Sequence, residues 1–111
     1  MLTATAGNWV ALCRLDDLQD DEMLPFEAGS RRVVLYRIAG EVYATDNVCS
    51  HAFALLSDGW LEDGLVECPL HGAQFDVTTG APVRGPADCP VEKFDTRIQD
   101  GMVEVRITQT G

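Results

Sequence analysis

A chain of 111 residues is the size of one small domain, and 46% hydrophobic residues are enough for a modest core. With 18 acidic residues against 8 basic, the formal charge is −10, a surface that repels nucleic-acid phosphates and anionic lipid and steers towards basic protein patches. No stretch reaches the length of a membrane span, and Met1 to Asn8 has neither the basic nor the apolar part of an export signal. A cytoplasmic protein with no nucleic-acid or membrane partner is expected.

Trp9–Cys13 reads as a first strand, apolar and β-favouring before a polar turn. Asp16, Asp17, Asp20, Asp21 and Glu22 form an acidic run, read first as a solvated loop and second as part of a docking surface. Arg32–Ile38 alternates weakly but is rich in Val, Leu, Tyr and Ile, and it should pair with Glu41–Thr45 as a hairpin across Ala39-Gly40. Asp46 and Asn47 close that hairpin and lead into the stretch Cys49-Ser50-His51. Ala52–Leu56 is apolar but too short for an independent helix, and lies where it can shield whatever the loop holds. Asp58-Gly59 and Asp63-Gly64 are turn signals around Trp60-Leu61, with Trp60 expected in the core rather than at the surface near the site. Leu65–Glu67 is a short strand that delivers Cys68-Pro69-Leu70-His71, after which Gly72 lets the backbone turn tightly. Gln74–Val77 reads as a strand, Thr78-Thr79-Gly80 as a turn, and Gly85-Pro86 and Cys89-Pro90 as a stiff connector. Val91–Ile98 and Met102–Ile107 flank Asp100-Gly101, a strong hairpin signal. Phe94, Thr96 and Ile98 should share one face of the first strand, and Val103, Val105 and Ile107 one face of the second.

The chemistry lies in the two Cys/His stretches, which have residues 52–67 between them. Each offers one thiol and one imidazole at i,i+2 or i,i+3, so two loops turned inward give a Cys2His2 set. Such a set suits a tetrahedral zinc or a [2Fe–2S] cluster with two cysteines on one iron and two histidines on the other. Zinc sites usually open with paired cysteines, whereas here each loop brings one of each ligand, which favours the two-iron centre. His51 and His71 are the only histidines, so none is left for a non-haem iron oxygenase site or a histidine-based hydrolase. Cys13 and Cys89 are expected to be reduced thiols buried as small apolar groups.

C-x-H followed by C-x-x-H, with Pro69 after the second cysteine and Gly72 after the second histidine, resembles the pattern of Rieske iron–sulfur proteins. The flanking runs Ala44–Val48 and Ser57-Asp58-Gly59 look like those of the Rieske ferredoxins of bacterial ring-hydroxylating dioxygenase systems. The resemblance implies an all-β fold, a Rieske-like antiparallel β-sandwich or barrel base with a small cluster-binding subdomain. One domain over 1–111 is expected, with the cluster-binding part at about 46–85 and the base from 1–45 and 86–111. It further implies one [2Fe–2S] cluster held by Cys49, His51, Cys68 and His71, with Pro86 in a third, covering loop. The function implied is a monomeric electron carrier, not an enzyme, between an FAD-containing NAD(P)H ferredoxin reductase and a terminal ring-hydroxylating oxygenase. An electron-entry subunit of a nitrite reductase-like enzyme is the alternative within the family, and a structural zinc module the alternative outside it. Respiratory Rieske proteins brace their loops with a disulfide and donate serine and tyrosine hydroxyls to the cluster. The matching positions here are Ala54 and Leu70, then Ala73 and Phe75, so a low reduction potential is expected.

Overall fold

The run Val33-Val34-Leu35-Tyr36 is fully buried along its length, which is why it alternates so weakly: both of its faces are covered. In the computed structural model, which describes residues 8–29, 31–49, 54–70, 72–85 and 89–107, this run is the centre of strand β3 (Arg31–Ile38). Its antiparallel sheet runs in the order β2 (Glu22–Ala28), β3, β4 (Glu41–Asp46), β9 (Lys93–Phe94). A second sheet has the order β1 (Asn8–Arg14), β11 (Met102–Ile107), β10 (Thr96–Gln99). The third has the order β5 (Trp60–Glu62), β6 (Leu65–Glu67), β7 (Gln74–Asp76), β8 (Pro82–Arg84).

Two cores follow from the period-two geometry of β3. Val33 and Leu35 join Ala44, Phe94, Val103, Val105 and Ile107 in one core, between the first two sheets. Val34 and Tyr36 point the other way, into a core with Val66 and Phe75 of the third sheet and with Cys49 and Cys68. The sheet built on β3 is thus the middle layer of three. The only hydroxyl on the buried face of that run, Tyr36 Oη, pairs with the equally buried Thr45 Oγ1 at 2.8 Å.

The two expected hairpins form, Ile38 pairing with Glu41 and Gln99 with Met102, and the turn at Asp63-Gly64 closes a third, Glu62 with Leu65, each across two residues. Both central residues of each turn have positive φ, as the tight right-twisting hairpin requires. The fold is all-β and antiparallel, and Val103, Val105 and Ile107 are buried on one face as their alternation predicts.

Several expectations are corrected. Trp60 is 60% exposed and is not a core residue. Val91–Ile98 is not one strand: Phe94 pairs with Ala44 in the middle sheet, whereas Thr96 pairs with Val105 in another. The chain changes sheets at Asp95, so Phe94 is buried while Ile98, meant for the same face, is exposed. Strands β2 and β8 carry no clear strand pattern in the sequence. Both are edge strands that contain a proline, Pro25 or Pro82, a residue tolerated where one side of the ladder is unpaired. Cys89 is exposed rather than buried, and Cys13 is half-buried on β1.

The acidic run is mostly loop, with Leu15–Asp17 a 3-10 turn and Glu22 opening β2. Two of its carboxylates hold local structure. Asp20 Oδ1 accepts the Gly40 N–H at 3.0 Å and faces Arg37 Nε at 3.5 Å, and Glu22 Oε1 accepts the Gln19 N–H at 2.7 Å. His51, His71 and Pro86 lie outside the described residues, as do Ala52 and Phe53 of the apolar segment behind the first loop.

Candidate cofactor site

The two Cys/His stretches are built to one plan. The Cys49 N–H donates to the Ala54 carbonyl at 2.9 Å, and the Cys68 N–H donates to the Ala73 carbonyl at 2.8 Å. Each cysteine therefore opens a six-residue loop closed by its own backbone bond to the residue five ahead. Below each closure stands a bridging pair, Val48 with Leu55 under the first loop and Glu67 with Gln74 under the second.

The supports differ. The second loop caps the β6–β7 ladder, where Gln74 Nε2 also donates to Glu67 Oε1 at 3.0 Å. Among the described residues the first has no such ladder, and it hangs on Asn47, which is 2% exposed. Its Nδ2 donates to Ser57 Oγ at 2.9 Å, and its Oδ1 accepts the Ser57 N–H at 2.8 Å. Its backbone donates to Arg32 O at 2.9 Å and accepts from the Leu56 N–H at 2.7 Å. Asp46 Oδ1 adds a bond from the Val48 N–H at 3.0 Å. The sequence assigns neither Asn47 nor Ser57 a part in the site; their signal is that both stand in the flanking runs, Ala44–Val48 and Ser57-Asp58-Gly59, that carry the family resemblance.

The two loops meet across Gly59. A Cβ there would lie 1.8 Å from the Glu67 carbonyl oxygen and 3.2 Å from Pro69 Cδ, so only glycine lets the segment after loop one pass the strand that delivers loop two. Gly72 has φ +74, the tight turn expected after the second histidine position.

The result is that Cys49 and Cys68, 4% and 0% exposed, sit together in one apolar core. Leu56, Val66, Ala73, Phe75 and Val77 share that core, and Ala54 packs against it. Burial pushes the Cys68 thiol above its ordinary range, a backbone contact at Leu70 partly offsets this, and the neighbouring Cys49 thiol raises it further. Two adjoining buried thiols, one from each loop, have the chemistry of the cysteine half of a two-iron centre, because a bound metal removes the thiol protons that burial retains. The donor set fits, with the histidine half outside the described residues.

The profile of the Rieske [2Fe-2S] domain matches residues 8–95. The chain belongs to the Rieske [2Fe–2S] family. Its cofactor is accordingly a Rieske-type [2Fe–2S] cluster. The chain is 42% identical over 107 residues to the anthranilate 1,2-dioxygenase ferredoxin subunit of Burkholderia cepacia, covering 96% of this chain and 99% of that one. It superposes with a TM-score of 0.85 and 31% identity on a chain in the complex of reduced oxygenase and oxidised ferredoxin in carbazole 1,9a-dioxygenase, covering 93% of this chain and 97% of that one. A protein of Mycobacterium tuberculosis described as an NADH-dependent nitrite reductase small subunit gives a TM-score of 0.82 at 22% identity, with 94% and 98% covered. That last likeness is one of Rieske fold.

Proposed function

We infer that this chain is the ferredoxin component of an aromatic dioxygenase system, a carrier of single electrons with no substrate-oxidising site of its own. The observation that carries the reading is the pair of buried thiols, one at the head of each matched loop, in a chain that matches ferredoxin components over nearly its whole length. The nitrite reductase-like alternative has support at the level of fold alone.

Cys49 and Cys68 are assigned as the thiolate ligands of one iron, and His51 and His71 as the imidazole ligands of the other. When bound, the cluster supplies a one-electron couple. The chain's own residues do the rest. The apolar core around both cysteines keeps water from the sulfurs, and the loop-closing bonds fix where the thiols point. Ala73 and Phe75 are fully buried and offer no hydroxyl to sulfur, so the reduced state lacks two hydrogen bonds that would favour it. The midpoint should lie near the low end of the Rieske range, which spans roughly −150 to +300 mV. The formal charge of −10 supports encounter with basic faces of the partners.

The partners proposed are a terminal ring-hydroxylating oxygenase and, upstream, an FAD-containing NAD(P)H ferredoxin reductase. No helix among the described residues is long and apolar enough to cross a membrane, and a cytoplasmic monomer is the proposed state. The domain division proposed is a single unit over 1–111, in which about 46–85 carries the cluster and the two ends form the base. An anaerobic redox titration followed by visible absorption and EPR tests this reading. A coloured protein with a Rieske signal only when reduced, and a midpoint below 0 mV, is expected. A colourless protein that holds zinc would overturn it.

A further inference from the structure

Among the described residues, two aromatic rings are capped by the chain's own arginines. The Arg97 guanidinium lies 4.2 Å from the centre of the Trp9 ring and pairs with Glu104 at 2.6 Å. Arg31 stands 5.1 Å from the centre of the Phe94 ring and pairs with Glu92. Each is a ring, a guanidinium and a carboxylate, an arrangement in which the planar cation is held by the ring face and by charge-assisted hydrogen bonds at once.

Trp60 has the ring and the carboxylates but not the cation. It pairs across strands with Glu67, which pairs with Gln74. Glu62 and Leu65 extend the same face, while Leu61, Val66 and Phe75 on the opposite face belong to the core. With Asp63 these residues line an open groove of about 270 Å³, and no lysine or arginine of the described residues lines it. No cation of the described residues lies over Trp60. The nearest in the sheet, Arg84, pairs with the far side of Gln74, three strand spacings or roughly 14 Å away. Glu67 directly precedes Cys68, so the groove begins one residue from an assigned ligand.

We propose that this groove receives an arginine from the protein with which the chain exchanges electrons. The occupant's guanidinium stacks on Trp60 and forks onto Glu62 and Glu67, completing the triad that Trp9 and Phe94 complete internally. Arginine rather than lysine is specified, because a planar fork can engage a ring face and two carboxylates together, which a compact ammonium cannot. The identity of the occupant rests on the carrier reading; the groove's chemistry does not.

The test uses the full chain with its cluster, titrated calorimetrically with the blocked peptide Gly-Arg-Gly-Arg-Gly and with its lysine counterpart. The arginine peptide should bind the tighter of the two. Trp60→Ala should weaken it by about three- to tenfold, the range of a partly desolvated cation–π contact. Trp60→Phe should fall between, Glu62→Gln should weaken it several-fold, and Trp9→Ala, whose ring already holds Arg97, should leave it unchanged. Equal binding by wild type and Trp60→Ala, or equal binding of the two peptides, overturns the proposal, since only a general acidic attraction then remains. Visible and EPR spectra of the same samples separate the two readings. Trp60-dependent binding without a reduced-state Rieske signal upholds the groove and overturns the carrier; the signal without Trp60 dependence overturns the groove alone.

Discussion

Gly59→Ala is the substitution by which the site's construction is most directly tested. The added methyl would meet the Glu67 carbonyl oxygen at 1.8 Å, and real Cβ contacts essentially never fall below 3.0 Å, so that contact must open by about 1.2 Å. The obstacle is backbone, so no side-chain rotation relieves it, and the Pro69 ring at 3.2 Å closes the other direction. Overpacking of this kind costs about 1–3 kcal/mol. Alanine's lower chain entropy in the unfolded state returns about 0.4–1 kcal/mol, so a net loss of about 1 kcal/mol is expected. At a urea slope of about 1–3 kcal/mol/M, the unfolding midpoint should fall by roughly 0.5 M. Because the movement falls on the residue before Cys68, the visible absorption of the cluster should be reduced at equal protein concentration. Gly85→Ala is the control, since a Cβ there meets nothing within 4 Å, and it should stay within about 0.5 kcal/mol of wild type. A Gly59→Ala protein with unchanged midpoint and full absorption would refute the view that close backbone approach at Gly59 sets the spacing of the loops.

Cys49→Ser and Cys68→Ser should each abolish the visible bands and the EPR signal of the reduced protein, and a retained signal in either would remove that residue from the ligand set. Asn47→Ala leaves the Ser57 N–H without its acceptor and should cost about 1–3 kcal/mol in urea unfolding followed by fluorescence. Burial raises the Tyr36 phenol above its ordinary value of 10.0, so above that pH the unfolded chain gives up this proton first and stability falls. Below pH 10 the contribution is fully present; Tyr36→Phe should flatten the loss above pH 10 in denaturant midpoints measured against pH.

What the sequence announced was what local chemistry marks. Asp63-Gly64 and Asp100-Gly101 have side chains and a glycine suited to positive φ, so the first reads directly as a turn and the second as a hairpin. The thiol–imidazole spacing and Pro69 are local marks of the same kind, and the proposed site rests on them without any knowledge of the fold. Less legible was anything decided by a distant partner. The burial of both faces of β3 depends on two separate sheets, and from the sequence it is only a blurred alternation. The break at Asp95 arises because β4 and β11 lie in different sheets and each claims part of Val91–Ile98. Trp60 looked like core because large aromatics usually bury themselves; its strand turns Leu61 inward instead, and the ring is left outside.

The two thiols reach the same core from unequal supports. Cys68 stands at the end of a strand whose ladder continues on both sides, through β5 and β7, so many backbone bonds oppose its displacement. Cys49 stands beyond the end of β4, where the described backbone offers one isolated bridge, Val48 with Leu55, and the closing bond to Ala54. The side chains of Asp46 and Asn47 supply what a neighbouring strand would otherwise give, with one bond to Val48 and two to Ser57. A cofactor shared by two loops needs a fixed separation between them, and rigidity in one loop alone cannot provide it. The short run Asp46-Asn47, silent as to chemistry, is therefore as much a part of the site as the cysteine it precedes, because it gives the first loop the stiffness that the second takes from its sheet.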